Sequence, residues 1–553
     1  MKVDGQSVSV SKLLNSGSFT IPEYQREYDW EDEQINELKE DIFDIGNDES
    51  YFIGHMVFEG KKNGNSFIVI DGQQRLTTII IMLCCLRDLF YELNADDLGD
   101  GINDNYIFYR DVEYKKHARL INDMPYPVLQ ARVINTPSER DNSVQPHKNG
   151  EKKIISAYEN IYSSFKDRSI EELKQLRDKI LNLETVSVVA EGVSNACTIF
   201  MTLNSTGKDL TPLDLVKSLI FSKYRRVTLI NEPNDTWKKI CANIKNNNKF
   251  LNHFYASRYK KVSDRRLFKE IEKTIKNLVP NDNSAGAKEF LQQMLKDSEI
   301  YKIINEPSQD HWETRDYDIY ESIYAITKQF KIQVAKSFLI ALIRDYKDNK
   351  ISKAMCLYAL TTMERFHFIN NAVCSSRSSG LDHLYARFAH DLYQAQTKQD
   401  KHTVIKDVCA ELKQRIANAS DFEANVDNKL YYTKSDEKQK ELVKYVLMKM
   451  ERKRNKHSIP IAISIEHIYP ETPQIMTLSD ASLIKNIGNL VLLEDDINSK
   501  IGNKEYTDKR TYVLSKSKIN TAKDVFQTYS SWTDSEIKKR RTDLINEMYD
   551  TMW

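Results

Sequence analysis

Two groups of residues have the types and spacing to do chemistry. The first lies near the C-terminal end, where an apolar, β-branched run from Ile461 to Ile468 carries Glu466-His467 and is ended by Pro470. A polar loop separates it from a second short run, Asn489-Leu490-Val491-Leu492-Leu493, and Asp495 and Asp496 then offer caps for a helix bearing Asn498 and Lys500. The order is strand, loop, strand, helix. Phosphodiester hydrolysis needs a base to deprotonate water, a divalent cation to hold the phosphate, and a group that fixes the tautomer of the base. His467 supplies the first, Glu466 and Asn498 offer oxygen ligands to Mg²⁺ or Mn²⁺, and Asn489 is expected to orient the imidazole.

The second group lies near the N-terminus. A strand from Ser66 to Ile70 runs into Asp71-Gly72-Gln73-Gln74-Arg75, and Thr77 to Leu93 continues as a helix apolar on all sides, hence buried. A turn that feeds a helix N-terminus presents free backbone N–H groups and a positive dipole end to an anion, and Arg75 adds a forked phosphate donor. Asp71 is placed to bind an accompanying Mg²⁺ or a water, with Gln73 and Gln74 beside it. The same corner equally suits an Arg75 that pairs with an acidic neighbour.

Both groups resemble parts of one family. Glu466, His467, Ile468, Pro470, Gly488, Asn489, Leu490, Asn498 and Lys500 fill the pattern of HNH (ββα-metal) nucleases, specifically the C-terminal nuclease domain of GmrSD-type restriction enzymes. Glu466 departs from the usual Asp by one methylene. IPEYQREYDW (residues 21 to 30) with FIVIDGQQRLTT resembles the ParB-like N-terminal domain of the same family, whose two boxes build a nucleotide site. That resemblance implies nucleotide-binding roles for Gln25, Arg26, Asp71, Gly72, Gln73, Gln74 and Arg75, with Asp71 and Arg75 also catalytic. Tyr24, Tyr28 and Trp30 flank the first box, where aromatics stack on a base or, more commonly, pack a helix. A third stretch, Ile199 to Ser222, resembles a motif of that domain. It adds Asn204 and Lys217 as residues within reach of the nucleotide, or as a helix start with Thr211 as N-cap and Pro212 at the first helical position.

The elements that position these groups divide the 553 residues into an expected three domains, at roughly 150 residues each. These are a ParB-like α/β domain over 1–230, with amphipathic helices at Glu31 to Ile45 and Ile170 to Asn182 and a short hairpin mixed with a polar, mobile insertion near 94–149, a mainly helical spacer over 231–437, and an HNH domain over 438–553. The fold class is α+β, multidomain. In the spacer, Phe250, His253, Phe254, Tyr255, Arg258, Tyr259, Lys260 and Lys261 form an aromatic and basic patch that hints at DNA contact, and His367 reads as a core residue. Arg452, Lys453, Arg454 and Lys456 precede the catalytic strand. With Lys500, Lys504, Lys509 and Arg510 they make the basic side expected to track DNA phosphates. Trp532 and Lys538 to Arg541 mark a closing helix.

Lys plus Arg equals Asp plus Glu at 80 each, so attraction to a polyanion must come from local patches. Seven cysteines without a CxxC pair indicate reduced thiols, and the absence of a leader or an apolar span indicates a cytoplasmic protein without a membrane partner. The resemblance thus implies a modification-dependent (type IV) anti-phage endonuclease acting on double-stranded, modified phage DNA; a homodimer is expected because two nicking sites would suit double-strand cleavage. Its nucleotide (GTP, ATP, CTP or UTP) would license cleavage. Alternatives are a phosphorothioate-sensing NTPase and nicking nuclease, or a DNA-binding regulator with a degenerate HNH motif.

Overall fold

The computed structural model describes the chain apart from residues 1–2, 23–24, 26, 47–49, 62–63, 123–127, 204–211, 224–230, 246, 378 and 456–461. Arg26, Tyr24, Asn204, Thr211 and Lys456 therefore lie outside the described residues. The chain forms two compact units, one of Met1–Asn252 with Val262–Lys296, the other of His253–Lys261 with Asp297–Trp553. This division differs from the three domains read from sequence, because the helical stretch 231–437 is shared between the units and does not stand apart.

The first unit is built on a six-stranded mixed sheet. Its strands are β1 (Val3–Ser9), β2 (Ser18–Ile21), β3 (Phe52–Glu59), β4 (Ser66–Asp71), β5 (Leu120–Asn122) and β6 (Glu184–Ala190), in the spatial order β1-β6-β3-β4-β2-β5. β3 and β4 pair antiparallel with Val57 opposite Asp71, whereas β3 and β6 run parallel with Met56 opposite Ser187. The register of β3 shifts between Phe52 and His55, at Gly54.

From the end of β4 the chain turns through Gly72, whose φ of 92° suits a residue without a Cβ, into helix α1 (Gln73–Glu92). Buried residues run from Gln73 to Phe90, so α1 is the central helix of the unit. Each Ile or Leu so buried contributes roughly 1.5–3 kcal/mol of hydrophobic stabilisation.

The segment 94–149 corrects the reading of a mobile insertion. Leu120 lies in the edge strand β5, and Leu129, Val133 and Ile134 are buried in a π-helical turn, Leu129–Ile134. The fully buried Arg87 of α1 donates to the carbonyls of Val133, Ile134 and Asn135 at 3.2, 2.6 and 2.9 Å and pairs with Asp88. Its charge is therefore matched and the segment pinned to the core. A π turn fits neither helical nor strand periodicity, which hid its apolar residues. The short hairpin expected within the segment is present as Phe108–Arg110 paired with Lys116–Ala118.

The second unit is helical around one small sheet. Strands β7 (Ile463–His467) and β8 (Leu490–Glu494) pair antiparallel with Leu490 opposite His467 and Val491 opposite Glu466. Every residue of β8 is buried, because elements cover both faces of the strand. Helix α2 (Lys440–Arg454) precedes the sheet; α3 (Asp495–Ile501), α4 (Tyr506–Lys516) and α5 (Asp534–Asn546) follow it. Their apolar residues, among them Val446, Met450, Ile497, Val513 and Ile537, share one core with β7 and β8.

Candidate functional site

β7 delivers Glu466 and His467 at its last two positions, and because side chains alternate along a strand the two face opposite sides. His467 is 3% exposed and stacks on Tyr432, ring centroids 5.6 Å apart. Its Nε2 lies 2.9 Å from the carbonyl oxygen of Tyr432. A carbonyl only accepts, so Nε2 carries the proton and the lone pair is on Nδ1, 3.9 Å from Glu471 Oε2. Burial lowers the imidazole pKa, opposed by the Tyr432 carbonyl and the Glu471 carboxylate, which favours the neutral, basic form.

Asn489 does not orient that imidazole. Fully buried, it accepts from Tyr469 N (2.7 Å) and Trp532 Nε1 (2.9 Å) through Oδ1 and donates to the carbonyls of Tyr469 (3.0 Å) and Ile484 (2.9 Å) through Nδ2. It clamps the loop that leaves β7 to the chain entering β8. Tyr432, 35 residues before His467, holds the imidazole, and no local sequence signal pointed to it. Gly488 is needed because a Cβ there would stand 2.4 Å from the Ile537 carbonyl of α5. The buried Arg540 of α5 donates to the carbonyls of Gly488 (2.6 Å) and Leu490 (2.8 Å), so the Gly-Asn-Leu run is held as a scaffold.

Asn498 sits on α3 with its Nδ2 donating to Ser464 Oγ (2.9 Å) and the Ile465 carbonyl (3.3 Å), on the strand face that Ser464 shares with Glu466. Its amide oxygen is thus the end left for a cation. Glu466 Oε1 accepts from Lys509 Nζ at 2.5 Å. Burial raises the Glu466 carboxyl pKa and lowers that of the Lys509 ammonium, each countered by the other's charge. A carboxylate and an amide oxygen are hard donors suited to Mg²⁺ or Mn²⁺, and the ammonium already resting on Glu466 shows that the spot takes positive charge. Among the described residues no group of three or more His, Cys, Asp or Glu side chains gathers for a metal, so water and phosphate oxygens would complete the shell of a bound ion.

Of the described cations before β7, Arg452 is partly exposed and Lys453 and Arg454 are exposed, but each is engaged by another segment of the unit. Arg452 pairs with Glu321, Arg454 makes a forked pair with Glu547 at 2.9 and 2.8 Å, and Lys453 donates to the Thr551 carbonyl. Lys509 is buried and Arg510 donates to the Phe526 carbonyl, whereas Lys500 and Lys504 are exposed. The patch of the middle is split, with Lys260 and Lys261 exposed and most of its aromatic residues in the core. Phe250, Phe254 and Tyr255 are buried, and Arg258 makes a forked pair with the buried Asp297 at 2.7 and 2.8 Å. His367, as expected, is a core residue, bonded to Asn371 and Tyr385.

In the first unit, the residues read from the two boxes come together at the mouth of β3 and β4. Arg75 donates through one arm to the Ile53 carbonyl (2.7 Å), and its other arm lies 3.6 Å from Asp71 Oδ2. His55, which the sequence reading missed, places Nε2 3.7 Å from the same oxygen. A Cβ on Gly54 would stand 2.3 Å from the Arg75 guanidinium, so this glycine gives the arginine room; a glycine inside a strand was the available signal. Gln25 donates to the Val69 carbonyl, while Gln25 Oε1 and His55 Nε2 are buried without a hydrogen-bond partner among the described residues. Buried polar atoms left over in this way suit a ligand.

Gln73 is buried at the start of α1. Gln74 instead accepts from Asp29 N (2.9 Å) and donates to the Glu27 carbonyl (3.1 Å), fastening the first box to α1. Tyr28, bonded to Thr78, and the partly buried Trp30 pack on the core. Lys217 lies over the Phe221 ring at 5.6 Å.

Comparison with known families follows the same two-part division. Residues 10–221 match the model of the GmrSD restriction endonuclease N-terminal domain, and residues 416–547 match that of the GmrSD restriction endonuclease C-terminal domain. The chain belongs to the GmrSD restriction endonuclease family. No curated protein matches it. As a GmrSD-like type IV restriction enzyme it is a nuclease and its substrate is DNA. Among the described residues no helix is long and apolar enough to cross a membrane, and all seven cysteines are free thiols. The two GmrSD matches enclose the candidate residues, Asp71 and Arg75 in one, Glu466, His467 and Asn498 in the other.

Proposed function

We propose that this GmrSD-like enzyme is a cytoplasmic anti-phage endonuclease in which a nucleotide site on a ParB-like first unit licenses metal-dependent cleavage of modified double-stranded DNA by an HNH centre in the second. The observation that carries the reading is the state of His467, buried, held through Nε2–H by a backbone carbonyl and so presenting Nδ1 as a base. In this reading Nδ1 takes a proton from the attacking water and Glu471 steadies the imidazolium that forms. Glu466 and Asn498 would hold Mg²⁺ or Mn²⁺, which when bound neutralises charge on the scissile phosphate. Lys500 and Lys504 contact flanking phosphates. Gln25, Asp71, Gly72, Gln73 and Arg75 hold the nucleoside triphosphate, with its phosphates at the N-terminus of α1, and Arg75 exchanges Asp71 for phosphate oxygens. A homodimer would place two such centres on opposite strands.

The test uses two variants and two assays. His467→Ala should abolish cleavage of modified phage DNA in Mg²⁺ or Mn²⁺ and leave nucleotide hydrolysis intact. Asp71→Ala should abolish hydrolysis and leave only unlicensed, background cutting. Equal loss of both activities in His467→Ala, or full cleavage surviving in Asp71→Ala, refutes the two-site reading, and equal cutting of modified and plain DNA refutes the modification dependence.

A further inference from the structure

Lys509 belongs to the first turn of α4 and is only 1% exposed. A lysine is buried at such depth only where its charge and donors are used. Its Nζ donates to Glu466 Oε1 at 2.5 Å and to the backbone carbonyl of His467 at 2.6 Å. One ammonium therefore grips the side chain of one site residue and the main chain of the next, which alternation along β7 has turned to the other side.

The grip is not that of a wandering surface lysine. Tyr506, three residues earlier at the start of α4, stacks between Phe526 and Trp532 at centroid distances of 5.5 and 5.7 Å, and Arg510 donates to the Phe526 carbonyl at 2.7 Å. Packing fixes the helix, and the helix fixes Nζ. On the far side of His467, the Tyr432 carbonyl holds Nε2. The ring is thus held at its edge by one carbonyl, and the peptide that bears it is held by the ammonium.

We infer that Lys509 is a positioning residue that serves as the resident counter-cation of Glu466, tuning the affinity of the site for divalent cations while fixing the peptide that carries His467. The inference rests on the nuclease reading above. A divalent ion at Glu466 must share the carboxylate with a positive charge already 2.5 Å from Oε1. Removal of that charge should tighten cation binding, and removal of the donor to the His467 carbonyl should slow the chemistry. The two effects move in opposite directions, which loss of structure alone would not produce.

The experiment titrates Mn²⁺ into the full-length protein, follows free Mn²⁺ by electron paramagnetic resonance, and measures DNA cleavage at saturating Mn²⁺. Glu466→Gln serves as the blank for unrelated ions. Lys509→Met, of similar length but uncharged, should bind Mn²⁺ about tenfold more tightly and cleave at least tenfold more slowly. Lys509→Arg, which keeps the charge but not the point geometry, should bind Mn²⁺ within about threefold of the parent and cleave more slowly. If Lys509→Met fails to fold by circular dichroism, Lys509→Gln, neutral and still a donor, must show the tightened binding. Unchanged or weakened Mn²⁺ binding in the neutral variant, in a parent that cleaves with metal, overturns the inference alone. A parent that neither binds Mn²⁺ nor cleaves with it overturns the nuclease reading as well.

Discussion

Replacement of Asn489 by alanine separates a clamp from a catalytic orienter. The side chain makes four hydrogen bonds, two accepted from Tyr469 N and Trp532 Nε1 and two donated to the carbonyls of Tyr469 and Ile484, all in a fully buried position. Alanine leaves four partner groups unsatisfied. At about 1 kcal/mol net for each bond, and more where a buried group finds no water, the loss is about 4 kcal/mol. That is a large share of the roughly 5–15 kcal/mol by which a domain is stable. For a unit of this size it corresponds to a fall of roughly 10 °C in the melting temperature of the second unit. Trp532→Phe deletes one of the four bonds and trims the indole to a phenyl ring, so its loss should be about 2 kcal/mol. Both are read from thermal unfolding by circular dichroism. A cost for Asn489→Ala no larger than that of Trp532→Phe, with cleavage nevertheless abolished, would refute the clamp and restore Asn489 as an orienter.

Three further outcomes follow from the same geometry. Gly488→Ala brings a Cβ within 2.4 Å of a backbone carbonyl on α5, so it should destabilise the second unit by about 1–3 kcal/mol, seen as a lowered urea midpoint. Burial lowers the His367 pKa to about 4, so below pH 6.5 the unfolded chain takes up a proton that the folded imidazole refuses. Stability is therefore lost as pH falls from 6.5 to 4, by about 3 kcal/mol, and His367→Gln should remove that part of the pH dependence in parallel urea titrations. For His467 the same direction of shift places the acid limb of the cleavage rate below pH 6.5, with activity rising through it and level above; a limb above pH 6.5 would contradict a buried neutral base.

Much of the architecture was legible because it follows from local pattern. The helices Glu31 to Ile45 and Ile170 to Asn182 were expected within a residue of Asp32–Asp44 and Ile170–Asn182, since apolar stripes at helical spacing leave little choice. The strand, loop, strand, helix order of the C-terminal segment was equally plain, and the structure gives Ile463–His467, Leu490–Glu494 and Asp495–Ile501. The corner at Gly72 was visible because a glycine between a strand and an apolar helix is a backbone requirement. What stayed hidden was the use of charge. Arg452, Arg454, Arg258 and Lys509 read as solvent-facing cations, yet each meets an acidic side chain brought from far along the chain, Glu321, Glu547, Asp297 and Glu466.

The sequence by itself determined which candidate residues stand at the ends of which elements, because strand ends and helix starts are written locally. Only the tertiary structure decided what those residues touch. That His467 leans on the Tyr432 carbonyl, that Asn489 clamps a loop, that Arg75 reaches past Gly54 to Ile53, and that Lys509 rests on Glu466 are contacts between segments distant along the chain. Hydrogen bonds and ion pairs act over about 3 Å whatever the sequence separation, so their partners are set by how the elements pack.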